Sequence, residues 1–185
     1  MRGESRSRAV SALVQHAKDI FARDPSCGLV APISPAPLSL IQSVLERLAL
    51  GAQDVVLDLG CGDGRWLIAA AVMTGCACRG VDLNESLLEK GRQEAKNSGV
   101  SSLVILEKRD IFQASLVGGT VVIVYLFREG LSRMKPKLEA ESGPGVRVVS
   151  IGAVVLPQLH PAIPFGHKDC SVKAVRGAIE RVTAK

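Results

Sequence analysis

Residues 54–64 read Asp-Val-Val-Leu-Asp-Leu-Gly-Cys-Gly-Asp-Gly. Val55, Val56 and Leu57 form a short apolar run, which predicts a strand buried on both faces of a parallel sheet. Gly60, Gly62 and Gly64 follow at a spacing of two. Arg65–Met73 (Arg-Trp-Leu-Ile-Ala-Ala-Ala-Val-Met) is then a helix-forming apolar run. Strand, glycine turn and helix open a nucleotide-binding βα unit, in which glycines turn sharply and let a ligand lie on bare main chain before a helix N-terminus. The dinucleotide fingerprint G-x-G-x-x-G/A needs a small residue where this chain has Arg65. A nicotinamide-dependent oxidoreductase is therefore disfavoured.

Asp58-Leu59-Gly60-Cys61-Gly62-Asp63-Gly64 resembles motif I of the class I S-adenosylmethionine-dependent methyltransferases. The resemblance implies that Asp58, Gly60, Cys61, Gly62 and Gly64 hold the methionine end of that cofactor, whose ammonium suits a carboxylate and turn carbonyls. Cys76–Asp82 reads as a second strand ending in an acid 22 residues beyond Gly60. At that place Asp82 can accept hydrogen bonds from both ribose hydroxyls, with Leu83 beside it. The other reading of Asp82, as the cap of a helix over Glu85–Asn97, competes with Asn84 for the same task. A third strand over Leu103–Leu106 leads to Asp110-Ile111, which resembles the adenine-contacting motif of the same superfamily. Asp110 would accept from the exocyclic amine, and Ile111 would cover a ring face; the plain alternative is a loop acid. Thr120–Phe127 is the most β-branched run and predicts a central strand. Tyr125, the chain's single tyrosine, falls at its carboxyl end with Leu126 and Phe127, facing the transferring methyl or packed as a core aromatic.

Around this centre, Ser5–Ala22 carries an apolar face at the helical period (Val10, Leu13, Val14, Ala17, Ile20, Phe21). A proline-punctuated loop, Asp24–Pro37, would lie as a lid over the cofactor or as a rigid surface connection. A helix from Pro37 follows, with Leu38, Ile41, Leu45 and Leu48 inward and Gly51 at its end. Glu129–Ala140 predicts a helix interrupted or started late by Pro136, and Val146–Ile151 a fifth strand. Ser171–Thr183 fits an antiparallel hairpin turning at Arg176-Gly177, or a last helix.

With 47% apolar and 22% charged residues over 185 positions, the chain suits one globular domain. Residues 1–50 supply N-terminal helices and the proline loop, and 51–185 a Rossmann-like core. No apolar run approaches the ~20 residues of a bilayer span, and aromatic content of 3% argues against a base-stacking nucleic-acid binder. The net charge of +5 reads as solvated basic surface. Five cysteines without framework spacing predict a reducing compartment. A cytoplasmic location follows, with a mitochondrial one as the alternative because of the Arg- and Ser-rich start. Cys76-x-Cys78 and the trio His160, His167 and Cys170 lack metal-site spacing, so no metal is expected.

A narrower resemblance rests on Pro32-Ile33-Ser34-Pro35-Ala36-Pro37, Asp58–Arg65, Val124-Tyr125-Leu126-Phe127, Glu129-Gly130-Leu131, Arg133–Leu138 and Gly145–Ser150. These stretches are similar to the small lysine methyltransferases that modify mitochondrial ATP-synthase subunit c or the adenine nucleotide carrier, and to their bacterial relatives. The chain departs from them at Ala36, where relatives tend to carry threonine, at Arg128, where they tend to carry proline, and at Ile151-Gly152-Ala153, where they place polar and aromatic residues. The cofactor half matches better than the substrate half. The fold this implies is an α/β, doubly wound, mostly parallel sheet with a C-terminal antiparallel hairpin. The activity implied is methyl transfer from S-adenosylmethionine to a lysine amine of a protein substrate, with Tyr125 at the acceptor. The alternative is a non-catalytic, cofactor-binding subunit or scaffold.

Overall fold

The computed structural model describes Ala36 and residues 38–126, 128–151, 163–164 and 170–174. The helix expected over Ser5–Ala22, the loop over 24–35, Pro37 and Phe127 lie outside the described residues. Within them the chain runs α1 (Leu38–Leu48), β1 (Val55–Leu59), α2 (Arg65–Thr74), β2 (Ala77–Asp82), α3 (Glu85–Asn97), β3 (Val104–Lys108), β4 (Val121–Val124), α4 (Arg128–Glu141) and β5 (Arg147–Ile151). These five strands are parallel, in the order β3-β2-β1-β4-β5. Beyond β5 the backbone of β7 (Cys170–Ala174) pairs antiparallel to β5, and that of β6 (Ile163–Pro164) antiparallel to β7. The expected turn at Arg176-Gly177 and the arm after it fall outside the described residues.

Alternation along each strand produces the layers, because successive side chains leave opposite faces of the sheet. Val56, Cys78, Val121, Ile123 and Val149 enter one core with Ile41, Val44 and Leu45 of α1, Leu67 of α2 and Leu88 of α3. Leu57, Leu59, Val122, Val124 and Val148 enter the other with Leu131, Met134 and Leu138 of α4. Each such side chain, fully buried, contributes about 1.5–3 kcal/mol. Between β3 and β4 the chain crosses without a helix among the described residues. Ala114 and Leu116 of this crossing are buried in the second core, while Ile105 and Val117 are exposed.

Several boundaries differ from expectation, each for a local reason. α1 stops at Leu48, and its left-handed residue is Ala49 (φ 46°), not Gly51. The Gly51 amide instead donates to the Asp54 carboxylate at 2.9 Å. β4 ends at Val124, so Thr120 and Tyr125–Leu126 flank the strand rather than belong to it. The Thr120 hydroxyl donates a hydrogen bond to Asp54 Oδ1 at 2.6 Å. β3 runs on to Lys108 because its pairing with β2 continues to Asp82. α4 passes through Pro136 unbroken. That proline is exposed, so the Ser132 carbonyl it leaves without a donor can turn to water. The ion pair Lys135–Glu139 (3.7 Å) spans it, and Lys137–Glu141 (2.6 Å) follows it.

A polar clamp closes the amino-end side of the sheet. Asp54 accepts from Thr120 and from Arg147 (2.8 Å), Val55 donates to the Thr120 hydroxyl (3.0 Å), and Arg147 also donates to the Leu48 carbonyl. Burial pushes the Asp54 carboxyl up, but Thr120, Gly51 and Arg147 together outweigh it and hold it below its ordinary value. The clamp joins α1, β1, β4 and β5 through one half-buried carboxylate. Arg147→Leu should lower unfolding free energy by about 2 kcal/mol, the worth of hydrogen bonds to a charged partner. Urea denaturation followed by circular dichroism measures it.

Candidate active site

Parallel register brings the carboxyl ends of the strands together. Leu59 pairs with Val81 on one side and Val124 on the other, which sets Gly60 abreast of Asp82 and of Tyr125. β1 and β4 are also where strand order reverses, the place where open α/β sheets bind ligands.

The turn after β1 is built on left-handed backbone, with φ of 91° at Gly60, 54° at Gly62 and 69° at Gly64. Side-chain-bearing residues adopt such values at a cost of roughly 1–2 kcal/mol each. The turn is fastened to β2: Gly60 and Cys61 both donate to the Val81 carbonyl (2.9 and 3.0 Å), and Gly62 donates to the Asp82 carboxylate (2.8 Å). The other Asp82 oxygen accepts from Asn84 at 2.8 Å. Asn84 itself caps α3 by accepting from Leu87 at 3.2 Å. Helix capping is thus Asn84's task, and Asp82 faces the turn. A carboxylate accepts about four hydrogen bonds, so Asp82 keeps lone pairs for a ligand.

Asp58 is 3% exposed, and its Oδ2 is buried without a hydrogen-bond partner among the described residues. Burial, then the nearby Asp82 and Asp63 carboxylates, push its pKa up to about 8. Burial likewise pushes the Cys61 thiol well above its usual range. Cys61 is therefore a packing residue beneath the turn, not a nucleophile. A Cβ added to Gly60 would have no neighbour within 4 Å. Open space above bare main chain, beside an orphaned carboxylate oxygen, fits a small cationic group.

The remaining expected residues follow the carboxyl ends of β2, β3 and β4. Leu83 is exposed immediately after Asp82. Asp110 Oδ1 accepts from the Phe112 amide (2.9 Å), and Ile111 turns into the second core beside Leu59 and Val81. Tyr125 is half-buried against the first core. Two glycines escaped the sequence reading because their role is contact across elements. A Cβ on Gly91 of α3 would sit 2.6 Å from the Asp63 carbonyl, and one on Gly80 of β2 would sit 2.7 Å from the Cys61 sulfur. A glycine within an otherwise helical run was the available signal for Gly91. Among the described residues no cluster has the makings of a metal site, and no helix is long and apolar enough to cross a membrane.

The sequence profile of the ANTKMT methyltransferase domain matches residues 58–161. The chain belongs to that methyltransferase family. It is 34% identical over 120 residues to a protein-lysine N-methyltransferase of Saccharolobus islandicus, covering 64% of this chain and 74% of that one. It is 33% identical over 138 residues to the mouse adenine nucleotide translocase lysine N-methyltransferase, covering 75% of this chain but 59% of that one. Among solved structures, an RNA methyltransferase from Salinibacter ruber in complex with S-adenosyl-L-homocysteine superposes with a TM-score of 0.72 at 28% identity. That likeness covers 82% of this chain and all of the other. The family match begins at Asp58, the first acid of the glycine turn.

Two outcomes follow for the ligand-free methyltransferase domain. Because Asp58 has a folded pKa of about 8 against an ordinary 3.8, the native state binds a proton that the unfolded state lacks. Stability should therefore fall as pH rises from about 4 to 8. Asp58→Asn should flatten that slope in thermal melts across the range. Gly91→Ala should cost about 1–3 kcal/mol by forcing α3 away from the turn, read in the same melts at one pH.

Proposed function

We propose that this methyltransferase binds S-adenosylmethionine and transfers its methyl group to a lysine side chain of a protein. The carrying observation is the buried, unpartnered Asp58 oxygen beside the open glycine turn. It supplies an anionic acceptor for the ammonium of an amino-acid end. The main chain of Gly60, Cys61, Gly62 and Gly64 would line that end. Asp82 would accept from the ribose hydroxyls while still bracing Gly62. Asp110 would accept from the adenine amine with the oxygen not engaged by Phe112, and Leu83 and Ile111 would bound the ring. When bound, the cofactor supplies a methyl group already activated on a sulfonium.

What this chain then has to do is align an acceptor and exclude water. A lysine attacks only as the neutral amine, and apolar surroundings favour that form. Tyr125, abreast of Gly60 in the strand register, would serve this: its ring would desolvate the amine, and its hydroxyl would orient it. Lysine as acceptor draws on the two relatives named for lysine methylation. RNA is the second reading, drawn from the Salinibacter ruber likeness. The same family reading favours a sheet completed by a C-terminal antiparallel hairpin.

Thermal melts with S-adenosylmethionine, S-adenosylhomocysteine and NAD test the cofactor. Saturation at 100 times the dissociation constant adds about 2.7 kcal/mol, and only the two adenosyl ligands should give the shift. Near pH 7, titration calorimetry in buffers of different ionisation enthalpy should show about one proton released as Asp58 ionises against the ammonium, and none in Asp58→Asn. Labelled S-adenosylmethionine offered to a cell extract should then mark protein lysine. Label confined to RNA would transfer the reading to that acceptor, and label in neither would return the scaffold alternative.

A further inference from the structure

Arg65 occupies the position that excludes a dinucleotide fingerprint, and the structure gives its side chain specific work. Its Nε and Nη2 donate to both oxygens of Asp63 at 2.8 and 2.5 Å, a two-pronged ion pair. Its Nη1 donates to the Ala36 carbonyl at 3.1 Å. Ala36 is 4% exposed and belongs to the core that holds Ile41, Leu45 and Trp66. Its carbonyl precedes α1, which starts at Leu38, and so lies ahead of the helical ladder and needs a donor from elsewhere.

Asp63 is held equally closely from the other side. It stands between the left-handed Gly62 and Gly64, and its carbonyl lies where Gly91 of α3 allows contact. The guanidinium is thus a planar bracket with one edge on the turn and one nitrogen on the chain leading into α1. Arg65 also balances Asp63, the third carboxylate around a turn already flanked by Asp58 and Asp82. Its hydrogen bonds hold the Asp63 carboxyl below the usual range.

We propose that the Asp63–Arg65 pair is a positioning unit that couples the glycine turn to the chain leading into α1, so that a cofactor filling the turn tightens that segment through the Ala36 carbonyl. The inference rests on the cofactor reading above. A lysine at 65 has a single nitrogen and cannot span Asp63 and Ala36 with the same plane of donors.

The test compares wild type, Arg65→Ala, Arg65→Lys and Asp63→Asn by S-adenosylhomocysteine titration and by hydrogen exchange of the α1 amides with and without that ligand. Wild type should bind, with slower exchange at the start of α1 in the complex. Arg65→Ala should bind about tenfold more weakly, the size of one charge-assisted hydrogen bond. It should lose the ligand-dependent protection of α1 while keeping protection of α3, which packs on the turn directly. Arg65→Lys should resemble Arg65→Ala, and Asp63→Asn should fall between it and wild type. Ligand-dependent protection of α1 that persists in Arg65→Ala, or its full recovery in Arg65→Lys, would overturn the coupling. Failure of the wild type to bind would overturn the cofactor reading instead, so the two failures are separable.

Discussion

The 2.8 Å hydrogen bond from the Gly62 amide to the Asp82 carboxylate is the contact on which the site depends. It crosses from the turn after β1 to the end of β2, so it forms only when those strands are in parallel register. The same register carries Tyr125 up to the turn from the other side. One oxygen of Asp82 braces the turn and the other fixes Asn84, the cap of α3. A side chain at the carboxyl end of β2 is thereby the joint between sheet, turn and helix. Stabilising the fold and shaping the pocket are the same act at this position.

Such an arrangement gathers negative charge. Asp58, Asp63 and Asp82 surround one short turn, and the protein settles the repulsion differently for each. Asp63 is neutralised by Arg65, and Asp82 is stabilised by two backbone amides. Asp58, with its Oδ2 lacking any partner among the described residues, holds its proton to about pH 8. A buried carboxyl left in that state is expensive in the ligand-free protein. It is favourable once a cation arrives, because the surroundings that penalise an isolated charge strengthen a paired one. The strain on Asp58 therefore points to what the pocket takes.

The strand, the glycine turn after it and the acid that ends β2 were legible in the sequence because each is a local pattern. Asn84 against Asp82 was posed as a competition, and the coordinates resolve it by direct hydrogen bonds. Other features were not legible because they arise between elements. Gly91 reads as a weak point in a helix until Asp63 is seen against it. Ala49 ends α1 although Gly51 stands two residues on, because Gly51 is committed to Asp54. Pro136 reads as a helix breaker until its exposed position is known. Periodicity reports which face is buried, not what a neighbouring element needs at one position.

Two kinds of material meet at the carboxyl ends of the strands. The glycine turn is tied to the end of β2 by its bonds to Val81 and Asp82, so displacing it disturbs the sheet. Beside it lie connections: Tyr125 and Leu126 after β4, and Ala36 ahead of α1. Connections tolerate substitution where strand ends do not, and the family match runs over residues 58–161, from the glycine turn onward. Arg65 joins the two, since it directly follows the turn in sequence and donates its third nitrogen to the Ala36 carbonyl. Substitutions in such connections leave the turn's own bonds to Val81 and Asp82 in place.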